Sequence, residues 1–220
     1  MRLCSAIIGL LIGIGGLSAQ EPLWVIEQEF VKLGKQEVYQ NYKKGQLKEA
    51  KFPVLALQQI DEMQYIYLIP VRGFEGLGTY FKQTQDTTWD KSLLNFSVES
   101  LQLYLEECSF IPQGKESYLA FPFVYFHVFT IDPGYEGAME KRLKALVQEQ
   151  RGAGTCFRTW KVIMGADLPK YIVGIFCNSA KEGESLEVIS AELKNSLRKE
   201  SHGMAKVLQE LSTLNGKEKI

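Results

Sequence analysis

Apolar and polar residues alternate along "PLWVIEQEFV" (22–31) and again along "FVYFHVFTID" (123–132). Both stretches are rich in β-branched and aromatic residues, so each predicts a strand. A glycine-marked turn and a helical stretch follow each one, "LGKQEVYQNYKKGQL" (33–47) and "PGYEGAMEKRLKALVQEQ" (133–150), with Gly34 and Gly134 in matching places. In the second of these, Tyr135, Met139, Leu143 and Leu146 recur at the spacing of one helical face. Two pairs of hairpin strands come next: "FPVLALQQI" (52–60) with "QYIYLIPV" (64–71), and "FRTWKVIM" (157–164) with "KYIVGIFC" (170–177). The turn-rich "DEM" and "GADLP" join them.

A further helix is expected after each hairpin. In the first half it divides between "GFEGLGTYFKQTQ" (73–85) and "TTWDKSLLNFSVE" (87–99); in the second it is "GESLEVISAELKNSLRK" (183–199). The weaker segments "LQLYLEECS" (101–109) and "KVLQELS" (206–212) read as closing strands, with a helix as the competing assignment. The order is therefore strand, helix, strand, strand, helix, strand, written twice. That is an α+β chain of two tandem ferredoxin-like units, over 20–115 and 116–220.

The element order, the opening strands that begin with Trp24 or Phe123, and the helix entries at "LGK" and "PGY" resemble the dimeric α/β-barrel superfamily, which includes antibiotic-biosynthesis monooxygenases and chlorite-dismutase-like proteins. The resemblance spans nearly the whole chain and implies that the two sheets face one another as an intramolecular barrel. A sheet with helices on one face needs cover on the other, and each half would supply it.

On that fold, alternation separates Trp24, Ile26 and Phe30 from Val25, Glu27 and Glu29, and Val124, Phe126 and Val128 from Tyr125, His127 and Phe129. The more apolar sets are expected to pack on the helices, which turns Glu27 and His127 into the lumen at equivalent places. Tyr65, Tyr67, Tyr104, Tyr125, Arg158 and Trp160 are candidates to line the same cavity, giving aromatic walls with a few polar anchors. A histidine there can shuttle protons or ligate haem iron. The commoner role for a lone strand histidine is an ordinary hydrogen-bonded one, or one ion-paired with a nearby carboxylate, and no cofactor is called for by any motif.

His202, in "RKESHGM", is expected on an exposed helix end, and two histidines in all make a metal centre built on several of them improbable. No CxxC or Cys/His spacing points to zinc. The glycines of "VRGFEGLGTYF" follow the order GxxGxG, which is neither a dinucleotide fingerprint nor a phosphate loop.

Residues 1–19, with Arg2 followed by an apolar run and the small residues Ser18 and Ala19, have the layout of a cleaved secretory signal, so an exported product is expected. Its removal takes away Cys4 and leaves Cys108, Cys156 and Cys177. Cys156 and Cys177 flank the second hairpin, where a disulfide and two buried thiols both fit. A net charge of −1, without a basic run, disfavours nucleic acid as a partner. The expected function is binding of a small hydrophobic or planar molecule between the two sheets. The alternatives are a monooxygenase-like or haem-handling enzyme using His127, and a structural or interaction module.

Overall fold

The computed structural model describes residues 22–49, 52–60, 63–85, 94–96, 102–110, 118–151, 155–164 and 167–213. The first half runs β1 (Pro22–Val31), α1 (Gln36–Glu49), β2 (Leu55–Gln59), β3 (Gln64–Arg72), α2 (Gly73–Gln85), β4 (Leu94–Phe96) and β5 (Gln102–Phe110). The second runs β6 (Phe123–Ile131), α3 (Glu136–Arg151), β7 (Cys156–Met164), β8 (Lys170–Cys177), α4 (Ala180–Glu184), α5 (Ala191–Lys194) and β9 (Leu197–Val207). Gly34 and Gly134 both take positive φ, +75° and +95°, at the turns into α1 and α3. A side chain is strained in that backbone region, which explains a glycine at each place.

The strands hydrogen-bond in the order β3-β2-β9-β6-β8-β7-β5-β1-β4, and β1 also pairs with β3, so the sheet closes into a barrel. Each half contributes its strands in the ferredoxin-like order: β5-β1-β3-β2 and β9-β6-β8-β7. The halves meet at two joints. At one, β2 pairs with β9 through Leu57↔Val207, Gln58↔Lys206 and Gln59↔Ala205. At the other, β5 pairs with β7, with Cys108↔Thr159 and Phe110↔Phe157 among the partners.

Three apolar clusters hold this arrangement. Trp24, Ile26, Leu57, Ile66, Val124, Trp160 and Ile172 join side chains of both halves inside the barrel. Val25, Tyr39, Tyr67 and Leu77 pack outside the first half under α1 and α2, while Phe129, Met139, Leu143 and Val173 do the same for the second under α3.

The sequence-based face assignment is thus inverted. Trp24, Ile26 and Val124 point into the barrel, and Val25 and Phe129 point to the helices. The strands are covered on both sides, as the nearly unbroken burial of β3 shows, so alternation alone does not say which face the helices take. Three elements also differ from the expectation. Leu94–Phe96, expected in a helix, pairs with β1 at Phe30 and Val31, whereas the rest of 87–99 lies outside the described residues. The closing strand of the second half is Leu197–Val207 rather than 206–212, and the expected long helix is two short ones. Residues 198–202 of β9 are exposed, so no apolar period marks them as strand.

Candidate functional site

Because β6 and β9 are antiparallel with His127 opposite His202, both imidazoles project from the same, helix-side face of the second sheet. Glu200 stands two residues from His202 on β9 and therefore shares that face. The two Nδ1 atoms are 3.0 Å apart, the rings meet edge to face with centroids 4.8 Å apart, and Glu200 Oε1 is 3.3 Å from His202 Nε2. His127 is buried, while His202 and Glu200 lie at the solvent edge. Phe129 stacks on His127 at 5.9 Å between centroids, and Tyr125 meets its ring edge on at 5.1 Å. Burial first, and then the facing His202 ring, hold the His127 pKa down to about 4, against a smaller opposing effect of the Gly183 backbone. His127 is accordingly neutral at neutral pH. Its Nε2 is buried without a hydrogen-bond partner.

What covers this face is set by a glycine. A Cβ at Gly183 would stand 2.3 Å from Tyr125 Cβ, so only glycine lets α4 settle on β6. Ser179 caps α4 by accepting from the Glu182 amide. Past α4 the chain runs over residues 186–189 into α5, and beneath it lies a cavity of about 460 Å³ lined by His127, Phe129, Leu186, Val188, Ile189, Lys194, Leu197 and Glu200. Its wall is mixed: five apolar side chains and His127 line it, and the exposed Glu187, Lys194 and Glu200 stand at its rim.

The equivalent face of the first half is filled. Glu27 accepts from Tyr80 of α2, and Glu29 accepts from Tyr39 and from Lys43 Nζ at 2.6 Å, both from α1. Tyr39 and Tyr67 share a hydrogen bond of 2.7 Å, and Lys43 Nζ lies 4.5 Å from the Tyr67 ring centre. Burial, ahead of the neighbouring phenol and carboxylate, pushes the Tyr39 and Tyr67 hydroxyls well above their ordinary range. Tyr65 receives Gln40 Nε2 at 2.9 Å, just as Tyr171 bonds Glu140 at 3.2 Å in the second half. Glu27, Tyr65 and Tyr67 are therefore parts of this packed polar layer rather than of a lumen pocket.

Inside the barrel, Arg158 stacks its guanidinium 4.3 Å from the centres of both Trp24 and Tyr118, donates to the Tyr118 hydroxyl, and stands near Trp160, which meets Trp24 edge on at 6.2 Å. These side chains close one part of the lumen. A cavity of about 160 Å³ is left in the barrel wall, lined by Ile26, Gln28, Gln59, Ile66, Phe126, Val128 and the outer half of β9. Tyr104 pairs through its backbone with Trp24, and its side chain lies outside the described set. Cys156 and Cys177 are both free thiols. Cys156 pairs with Phe176, so Cys177 is one residue out of register and faces the other side of the sheet.

The structure splits the sequence candidates among three places: His127 with Tyr125 on the helix side of the second half, Glu27 with Tyr65 and Tyr67 on that of the first, and Arg158 with Trp160 in the lumen. His202 is not on a helix end, and it and Glu200 were missed because their segment is polar on both faces. Once that segment is taken as a strand, their spacing of two places them on one face.

No family model matches the sequence, and no curated protein does. Solved structures do resemble it. An anthrone oxidase-like protein superposes with a TM-score of 0.63 at 13% identity, over 91% of this chain and 95% of the other. A proposed monooxygenase from Fusobacterium nucleatum gives 0.64 at 11% identity, over 86% and 93%. A heme-binding protein from Thermus thermophilus gives 0.51 at 12% identity, over 87% and 93%. Haem held by His127 does not fit the residues present, because Nδ1 faces His202 and Nε2 is sealed from solvent. These likenesses, at such low identity over nearly the full length of both chains, establish one thing about the molecule: it has the fold of the dimeric α/β-barrel proteins.

Proposed function

We propose that this chain binds a small, largely apolar molecule, and that the molecule sits outside the barrel, between β6 and residues 186–194, rather than between the two sheets. The supporting observation is size. Small-molecule pockets run from roughly 300 to 1,000 Å³, a range that contains the cavity of about 460 Å³ beside His127 and excludes the lumen cavity of about 160 Å³. Phe129, Leu186, Val188, Ile189 and Leu197 suit an apolar body, and the His127–Glu200 end suits one polar group. Export, read from residues 1–19, belongs to this proposal and predicts a mature chain starting at Gln20.

Native mass spectrometry of protein purified from its own cells, in the presence of EDTA, tests the reading. A co-purified small molecule lost on Val188→Trp, which fills the cavity, is expected. Retention of the molecule by that variant would place it elsewhere.

A second reading, an oxygenase-like enzyme, draws on the Glu200–His202–His127 chain. A carboxylate that orients an imidazole is an arrangement general-base catalysis uses, and of the two histidines His202 is the one at the solvent edge. The neighbours described as monooxygenase and anthrone oxidase-like supply the probe. Anthrone, oxidised by O₂ to anthraquinone and water, should drive oxygen uptake that falls at least tenfold in His202→Asn. Uptake no faster than without protein counts against it.

A further inference from the structure

We propose that His127, His202 and Glu200 bind one divalent transition-metal ion on the helix-side face of the second sheet. The three side chains come from adjacent strands in the pattern that converges ligands on a sheet, two residues apart on β9 plus the cross-strand neighbour on β6. One ligand atom from each lies within 4.8 Å of the others. Imidazole nitrogens bind such ions at about 2.0–2.1 Å, so an ion shared by two Nδ1 atoms 3.0 Å apart sees them at nearly a right angle. That is the angle of neighbouring ligands in octahedral and square-planar sites, and two histidines with one carboxylate make a donor set that leaves further positions open. Glu200 is solvent-exposed, and turning its long side chain completes the set.

The metal-free tautomers supply an independent argument. With His202 neutral and Glu200 accepting from its Nε2–H, the His202 Nδ1 carries a lone pair, and His127 donates its own Nδ1–H across the 3.0 Å gap. That leaves His127 Nε2 a bare acceptor, buried without a partner. When an ion takes both Nδ1 lone pairs, the His127 proton moves to Nε2. Metal binding thus turns the buried, partnerless Nε2 from a bare acceptor into an N–H, the protonation pattern in which a ligating histidine is held. The cavity of about 460 Å³ gives the open positions room for water or a bound molecule.

The proposal rests on the same cavity as the ligand reading but not on any ligand being present. EDTA-treated full-length protein is titrated calorimetrically with Ni²⁺, Cu²⁺ and Zn²⁺ in separate runs. One equivalent should bind, and His202→Asn and Glu200→Gln, both at exposed positions, should each weaken binding by about tenfold or more. The Cu²⁺ electron paramagnetic resonance spectrum should show two nitrogen ligands in the parent and one in His202→Asn. Absence of binding, or equal affinity and the same two-nitrogen spectrum in His202→Asn, overturns the site. Either result leaves the EDTA-treated ligand assay unaffected, so the two readings fail separately.

Discussion

Residue by residue, the two halves solve one packing problem with opposite chemistry. Where the first places Glu29, Tyr39 and Lys43 between sheet and helix, the second places Phe129, Met139 and Leu143 at the matching positions. Lys43 and Glu29 are almost completely buried, and their ion pair persists because Tyr39 and the Tyr67 ring complete its shell. Removing one member of such a pair leaves the other charge buried and alone, at a cost of about 3–5 kcal/mol. Replacing the whole set with well-packed apolar groups is often neutral. Lys43→Leu should therefore lower unfolding stability by about that amount in urea titration. The triple variant Glu29→Phe, Tyr39→Met, Lys43→Leu, which copies the second half, should recover most of it. A triple variant no more stable than the single one would show that the two halves are not interchangeable here.

At the scale of elements, the decisive difference is the cover over each sheet. A regular α2 of thirteen residues closes the first, and two short helices with a strap between them leave a cavity in the second beside the buried His127. Gly183 sets how closely α4 approaches β6. Gly183→Ala pushes a methyl group into the Tyr125 Cβ, and overpacking of this kind costs about 1–3 kcal/mol. Hydrogen exchange should quicken through 180–184, with β8 unchanged; unchanged exchange in α4 would mean the helix has slack that the contact denies. The same contrast explains what the sequence could reveal. The strand–helix order was legible because β1, β3, β6 and β8 are apolar and their turns carry Gly34 and Gly134. The strand faces were not, since Trp24 in the lumen and Val25 under the helices are equally buried. The site was half legible. His127 stands out in an apolar strand, whereas Glu200 and His202 lie in a solvent-exposed stretch that encodes a strand only through its pairing with β6.

For the molecule as a whole, closure of the barrel makes each half the cover of the other. Trp24 of the first meets Trp160 of the second, and the lumen cluster draws on both. Two backbone joints, β2–β9 and β5–β7, seal it. An isolated half would expose both its lumen-side apolar face and two unpaired strand edges, a combination that soluble monomers avoid. The link between the halves, residues 111–117, lies outside the described residues. A protease site inserted there and cleaved after folding should leave two fragments that co-elute in size exclusion and separate only in denaturant. Loop closure across so short a link is a modest entropic term, so the midpoint of unfolding should fall but folding should remain cooperative, and become dependent on protein concentration. Fragments that part under native conditions while each keeps a sharp unfolding transition would mean that the halves are independent domains and that the shared lumen is not what holds the chain together.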